Sequence, residues 1–363
     1  MFDPRKLKVC FLAGTLGRGG SERQLVYMLR ALNENGVATR VLCLTKGEPF
    51  EQEITELGIA VEHVAESGSS RFSKLRRIVQ SLRREPTDII QSVHFYTNLY
   101  AAVAARITGA KEIGALRSNL EFDLRDSRIL GRFQLKLPRH HITNSATARE
   151  QAIASGISPN RIDLIPNVVQ LNGNRVSNHR SNGAVRLLFV GRLTEEKRAD
   201  RFLRVVSTVI RESPGINVKA LVVGDGPLRP RIEELATNLG LVGKVEMLGE
   251  CADMSSIYGQ ADLLLLTSDL EGTPNVVLEA MGHGLPVAAT SVGGVPAIVS
   301  EDRGFLCDPH DERGLAEAAV RLVRDKELRH RFGQVGRDYV RRFHSQSGLH
   351  EQLLKVYKKV LYV

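Results

Sequence analysis

ADLLLLTS (261–268), running into SDLEGTPNVVLEAMGHGLPVAATSVGGVPAIV (268–299), decides the fold class of this 363-residue chain. The LLLL run is apolar at successive positions, so both faces of that strand are covered. Strands of this kind belong to parallel sheets with helices on either side. Glu271 closes a loop after the strand, and Pro274 suits the first turn of a helix, where its missing N–H is harmless. Glu279 lies on that helix. Backbone N–H groups of Thr273, Asn275 and Val276 fall at the helix start, an arrangement suited to a phosphate. A carboxylate at each end of the turn can accept hydrogen bonds from the hydroxyls of a sugar or ribose. Each acid taken alone fits a capping or surface role equally well.

The same alternation extends outward in both directions. In the first half, strand candidates are 7–13, 38–44, 60–64, 87–93, 111–116 and 140–144; in the second half they are 185–191, 217–224, 244–248, 261–268, 285–291 and 304–307. Helix-length amphipathic segments separate them, which predicts an α/β chain of two Rossmann-like halves. LNGNRVSNHRSNGA (171–184) is poor in apolar residues and reads as a linker. The expected layout is a domain over 1–170, the linker, a second domain over 185–342, and a C-terminal helix within 343–363 that returns to the first domain. Two open sheets joined in this way are expected to face a cleft at the carboxyl ends of their strands, where ligands bind.

Composition is that of a globular protein, with 42% hydrophobic and 25% charged residues. No stretch approaches a membrane span, and the short apolar run of MFDPRKLKVCFLAG reads as a buried strand, so a cytoplasmic location is expected. Cys10, Cys43, Cys251 and Cys307 lack metal-ligand spacing and sit in apolar, strand-like settings, which suits buried reduced thiols. The net charge of +9 is lopsided: residues 1–180 carry 26 Lys and Arg against 17 Asp and Glu, and the remainder is balanced. Nucleic acid, an anionic membrane or an acidic substrate could each answer such a face, as could solvent alone. No nucleic-acid module or aromatic stripe accompanies it, so nucleic acid is set aside.

Two further motifs carry chemistry. GTLGRGGSERQ follows the first strand; Gly17, Gly19 and Gly20 permit a tight turn, and the helix beginning near Ser21 offers amides to an anion. Its glycines do not reproduce the dinucleotide spacing, and a purely structural turn is the alternative. In LLFVGRLTEEKR, Gly191 and Arg192 fall at a strand end and Lys197 about one turn into the next helix. The two cations can neutralise a diphosphate, Arg192 as a planar fork and Lys197 as a point charge. Each alone is equally a solvated surface charge. GDGP (224–227) is another strand-end glycine turn.

Taken together and in this order, GRGGSERQ, ITNSATAREQAIASGISPNRIDLIPNVV, LLFVGRLTEEK and EGTPNVVLEAM resemble the motifs of the retaining glycosyltransferases of family 4, which have the GT-B fold. The likeness covers nearly the whole chain. It implies that Arg192 and Lys197 bind a donor diphosphate, that Glu279 binds the ribose, and that Glu271 meets the transferred sugar beside amides from Gly272 to Val276. It also implies that Met247, Leu248 and Gly249 flank the base, and that Gly19 and Gly20 approach the donor. Gly17, Ser21, Glu22 and His94 fall on the acceptor side, with His94 near the transferred sugar. Arg198 departs from the pattern, because a glycine or small polar residue is common there.

The reaction so implied moves a sugar from a nucleotide-sugar co-substrate, with UDP the family's commonest carrier, to a carbohydrate or lipid-linked acceptor hydroxyl with retention. No other cofactor is expected. The chain contains no Asp-x-Asp triplet, so cations are expected to stand in for a diphosphate-bound metal. An epimerase or phosphorylase on the same frame, and a non-catalytic nucleotide-sugar binder, are the rival readings. A peripheral membrane contact is expected through RFSKLRRIVQSLRRE (71–85): on a helix, Phe72, Leu75, Ile78, Val79 and Leu82 share a face flanked by basic residues. A core-packed helix with a solvated basic face fits the same pattern.

Overall fold

The computed structural model describes residues 3–66, 68–117, 120–171 and 183–362. Most of the expected linker, residues 172–182, lies outside the described residues. The chain divides into two units, Met1–Val168 with Gln346–Val363, and Val169–Ser345.

In the first unit, seven strands pair in parallel: β1 (Lys8–Ala13), β2 (Ala38–Cys43), β3 (Ala60–His63), β4 (Ile89–Ser92), β5 (Lys111–Leu116), β6 (His141–Thr143) and β7 (Ile162–Leu164), in the order 3-2-1-4-5-6-7. Order reverses between β1 and β4, so the loops after these two strands open side by side at their carboxyl ends. Phe11 and Ala13 of β1 join one core cluster, while Cys10 and Leu12 join another on the opposite face. That two-sided burial is the physical reason for the unbroken apolar run. β7 is absent from the sequence reading; IDL is a three-residue edge strand with a half-exposed middle, too short for any periodicity.

The C-terminal helix is Leu349–Tyr362, and Leu353, Val356 and Tyr357 are buried in the same core as Leu25 and Leu29 of helix Gly20–Asn33. The expected boundary at 342 falls short: helix Lys326–Phe343 runs one residue past it, and the second unit extends to Ser345.

The second unit holds β8 (Ala184–Val190), β9 (Asn217–Val223), β10 (Val245–Gly249), β11 (Leu263–Leu266), β12 (Val287–Thr290) and β13 (Gly304–Cys307), all parallel, in the order 10-9-8-11-12-13. Here the switch point lies between β8 and β11, where GRLTEEKR and SDLEGTP begin. The thiols are less uniform than expected. Cys10 and Cys43 are buried, and burial pushes Cys10 up to about 12. Cys251 and Cys307 are only partly covered, and Cys251 sits in a loop beyond β10.

Candidate functional site

In the second unit, β8 delivers Gly191 and Arg192, and β11 delivers the loop from Thr267 to Pro274. Two glycines let these loops close. Gly224 has φ +121°, and a Cβ there would lie 2.0 Å from the Gly191 carbonyl oxygen. Gly293, at φ +54°, would meet the Glu271 carbonyl oxygen at 1.9 Å. The GDGP turn therefore backs the Gly191–Leu193 loop, and the Gly293–Gly294 pair backs the Glu271–Gly272 peptides, with the Gly294 N–H donating to the Gly272 carbonyl at 2.7 Å.

Lys197 is not inside the following helix, as expected from spacing. It ends a 3-10 turn, Glu195–Lys197, ahead of helix Ala199–Glu212. Between them Arg198 takes a left-handed conformation, φ 53°, the position where a glycine would be at ease. Its guanidinium answers for that backbone cost by holding Asp200 at 3.0 Å and Asp269 at 2.7 Å. Arg201, buried, reaches Asp269 at 2.7 Å and donates to the Thr267 carbonyl at 2.7 Å. Burial alone would raise the Asp200 carboxyl, but hydrogen bonds from Arg198 and Arg204 prevail and hold it down to about 2. This network, which clamps the loop carrying Glu271, had no signature in the sequence reading.

Within that frame two candidates meet. Lys197 Nζ lies 2.7 Å from Glu271 Oε1, and the Ser268 hydroxyl donates to the same oxygen at 2.7 Å. Glu271 is only 8% exposed, and Lys197 supplies the counter-charge at this buried position. Arg192 behaves differently: its side chain is 76% exposed and, among the described residues, its ion pair is with Glu196, at 3.9 Å. Helix Asn275–Gly282 starts after Pro274 with no side-chain cap, leaving its first turn to other partners. Glu279, half-buried on that helix, accepts from the Tyr258 hydroxyl at 2.7 Å. Tyr258 is fully buried and stacks on His283 at 5.0 Å; the sequence reading passed over both. Met247 packs on the core, while Leu248 is 37% exposed where the β10 register breaks, with Gly249 following at φ 65°.

In the first unit, helix Gly20–Asn33 begins after Gly19, which has no side-chain cap. Glu22 folds back over Gly19, where an added Cβ would lie 2.2 Å from Glu22 Oε2. A carboxylate of the chain itself thus already sits at the helix start expected to receive an anion, a favourable place for it. Glu22 Oε1 lies 3.0 Å from His94 Nε2, and the Gly14 N–H donates to His94 Nδ1 at 3.1 Å. An amide donor fixes Nδ1 as the acceptor, so the proton resides on Nε2 and points at Glu22. Both ring nitrogens of His94 are therefore engaged. Glu48 braces the loop from the other side, accepting from Thr15 Oγ1 at 2.8 Å, Thr45 Oγ1 at 2.5 Å and the Leu16 N–H. Gly17 lies on this loop, its N–H donating to Thr15 Oγ1 at 3.1 Å, and Ser21 lies on the helix's first turn.

The basic helix is Arg71–Arg84. Ile78, Val79 and Leu82 of its apolar stripe are buried in the first unit's core and Leu75 is partly buried against it, leaving Phe72, 77% exposed, as the stripe's open end. Most of the expected membrane face is thus spent on packing.

Comparison with known proteins matches this architecture. The model described as Glycosyltransferase Family 4 covers residues 18–172, and that described as Glycosyl transferases group 1 covers residues 184–325. The chain belongs to glycosyltransferase family 4. Among curated relatives, the N-acetyl-alpha-D-glucosaminyl L-malate synthase of Bacillus anthracis is 32% identical over 178 residues; the match spans 48% of this chain and 45%, less than half, of that protein. The lipopolysaccharide core biosynthesis glycosyltransferase LpsE of Rhizobium meliloti is 25% identical over 331 residues, 88% of this chain and 90% of that one. Among solved structures, Anabaena Alr3699/HepE in complex with UDP-glucose superimposes with a TM-score of 0.85 at 20% identity, covering 97% of this chain and 100% of that one. The fold is GT-B.

Proposed function

We propose that the protein is a retaining glycosyltransferase that moves a sugar from a nucleotide sugar, UDP-linked, to an acceptor hydroxyl in cell-surface polysaccharide or glycolipid synthesis. The observation that carries this reading is the Lys197–Glu271–Ser268 contact beside the exposed Arg192 at the carboxyl ends of β8 and β11. A diphosphate arriving there meets one exposed guanidinium and one lysine already held at the right place. As its phosphates draw on Lys197, Glu271 is released to accept from a sugar hydroxyl. Glu279, oriented by Tyr258, takes the ribose hydroxyls. The likeness to a structure holding UDP-glucose supports the choice of UDP.

In the reaction the bond from the anomeric carbon to the diphosphate oxygen breaks, and a bond to the acceptor oxygen forms on the same face. The acceptor's proton passes to the leaving phosphate oxygen. His94, with both nitrogens engaged, acts as a fixed neutral donor network and not as the proton's destination. Negative charge growing on the diphosphate is stabilised by Arg192, Lys197 and amides of the Gly272–Val276 turn. The absent Asp-x-Asp triplet supports turnover without a divalent metal. No helix among the described residues is long and apolar enough to cross a membrane. Adsorption to an anionic surface, if the acceptor is lipid-linked, would use Phe72 and the exposed basic residues of helix Arg71–Arg84.

The test is a thermal-shift screen of nucleotide sugars followed by product analysis. A UDP-sugar at a hundred times its Kd should stabilise the protein by about 2.7 kcal/mol through mass action, and the sugar should appear on an acceptor. Recovery of an isomerised nucleotide sugar would instead assign an epimerase, and of a sugar phosphate a phosphorylase.

A further inference from the structure

The first unit contains a cavity of about 450 Å³ that no residue of the site just described accounts for. Three helices form it: Arg71–Arg84 supplies Phe72 and Leu75, Asn98–Thr108 supplies Leu99 and Val103, and Leu120–Lys136 supplies Leu130, with Tyr96 closing one side. Its volume falls within the range of small-molecule pockets. An apolar cavity of this size gives water few partners, and Phe72 at its margin leaves most of a phenyl ring in solvent.

Three observations define what would fill it. The lining is aliphatic and aromatic, so the occupant is an apolar chain. Arg71 also lines it, exposed and without an ion-pair partner among the described residues, so the occupant's head is anionic. Gln134, in the wall and 4% exposed, keeps an Oε1 with no hydrogen-bond partner among the described residues, a polar atom that a ligand donor would satisfy. The position is informative too. Tyr96 stacks on His94, ring centroids 5.4 Å apart and planes inclined by 23°, so the cavity and the His94–Glu22 pair share a wall.

We infer that this cavity binds the hydrocarbon chain of an anionic amphiphile, with its head at Arg71, and that such an amphiphile is the acceptor. The second clause rests on the reading of His94 and Glu22 as the acceptor side; the first does not. Burial of the stripe residues Ile78, Val79 and Leu82 in the core makes the distinction matter. With those three residues packed inward, the helix offers Phe72 alone of its apolar stripe to solvent, at the end where the cavity opens.

The experiment uses n-alkyl phosphates of four to fourteen carbons, below their micelle-forming concentrations, titrated calorimetrically into the full chain. Affinity should rise roughly fourfold per methylene, the value of about 0.8 kcal/mol per buried CH₂, and level off once the cavity is full, at one molecule per chain. Val103→Trp, which fills the cavity from a half-buried position, should lower the affinity of the longest saturable chain at least tenfold while leaving the melting temperature and UDP binding unchanged. Arg71→Gln should weaken an alkyl phosphate but not the alkanol of equal length. Absence of chain-length dependence, stoichiometry above one, or equal affinity in a folded Val103→Trp protein would overturn the inference. A folded chain that binds alkyl phosphates as described and transfers sugar to some other acceptor, but not to an alkyl phosphate bearing a hydroxyl on its chain, would keep the cavity's ligand and remove only its role as acceptor. A chain that transfers sugar to nothing would count against the proposed function instead.

Discussion

The two units carry their candidate residues at equivalent places, the loops after strands flanking the switch point, yet they hold them by opposite means. In the second unit the loop is clamped by full charges: Arg198 and Arg201 on Asp269, and Lys197 on Glu271. In the first, hydrogen bonds converge on single acceptors: Glu48 gathers Thr15, Leu16 and Thr45, and His94 is pinned between Gly14 and Glu22. A charge pair can be redistributed when a charged ligand arrives, because the ligand replaces one partner of the pair. A histidine whose two nitrogens are both engaged keeps one tautomer. The contrast fits a half that must answer a diphosphate and a half that must hold its side chains in one arrangement.

The largest effect should come from separating the charge pair. Lys197→Ala should cut turnover by about a hundredfold or more, as for loss of one electrostatic stabiliser. It should also destabilise the fold by about 3 kcal/mol, since Glu271 is left buried without its counter-charge. That is the low end for breaking a buried pair, because the Lys197 side chain is itself 23% exposed. Lys197→Ala with Glu271→Gln should regain that stability but not the turnover. Arg192→Ala should match the loss of turnover with little change in melting temperature, since its side chain is 76% exposed. If denaturant titration found Lys197→Ala as stable as the parent, the pair would not be coupled as described. Exhaustive chelation should leave the parent's turnover intact; loss restored by magnesium would break the reading of these cations as the diphosphate's counter-charge.

The carboxylates of the second unit sharpen the comparison at smaller scale. Glu279→Ala should weaken free UDP binding about tenfold, the size of a charge-assisted hydrogen bond, and Tyr258→Phe should do so by a lesser factor by loosening Glu279. Glu271→Ala should leave UDP binding nearly intact and act on turnover. Equal losses of UDP affinity in calorimetry for Glu271→Ala and Glu279→Ala would remove the division of labour. In the first unit, Glu22→Gln should lower turnover about tenfold with no change in UDP affinity.

Much of this was legible in the residues. Runs such as LLLL and LLFV show their strands because two-sided burial leaves no polar alternation to confuse. Arg192, Lys197, Glu271 and Glu279 stood out because charged residues beside glycine turns are few and local. What stayed hidden depends on contacts across long sequence separations: Lys197 with Glu271, His94 with Glu22, Tyr258 with Glu279. Nothing in either partner's neighbourhood encodes the other. Lys197 was misplaced into the helix for a related reason. Arg198 pauses the chain in a left-handed turn that a side chain accepts only with Asp200 and Asp269 to hold it, and Asp269 comes from another strand's loop. The basic helix was ambiguous from sequence alone, since a stripe that packs inward and one that faces a membrane share a single period.

The smallest expected effect concerns acid. His141 of β6 is fully buried, and burial, reinforced by the positive charge of Arg161 and His140, lowers it from 6.5 to about 3. The folded chain therefore keeps it neutral while the unfolded chain protonates it near 6.5. Its contribution is complete above that value, falls as pH drops, and stops changing below about 3, where both states hold the proton. Asp200 in the second unit titrates on the opposite logic. Its folded value of about 2 lies below the ordinary 3.8, so its contribution persists down to 3.8 and is lost only as pH falls through 2. Mild acid should consequently loosen the first unit before the second. Between pH 7 and pH 5.5 the first unit should lose about 1 kcal/mol from this histidine, enough to raise amide exchange in β5 and β6 while β8 and β11 stay protected. His141→Gln should flatten that dependence whatever it does to stability at neutral pH. Exchange that rises equally in both sheets, or an acid response unchanged in His141→Gln, would remove His141 as the source of the difference.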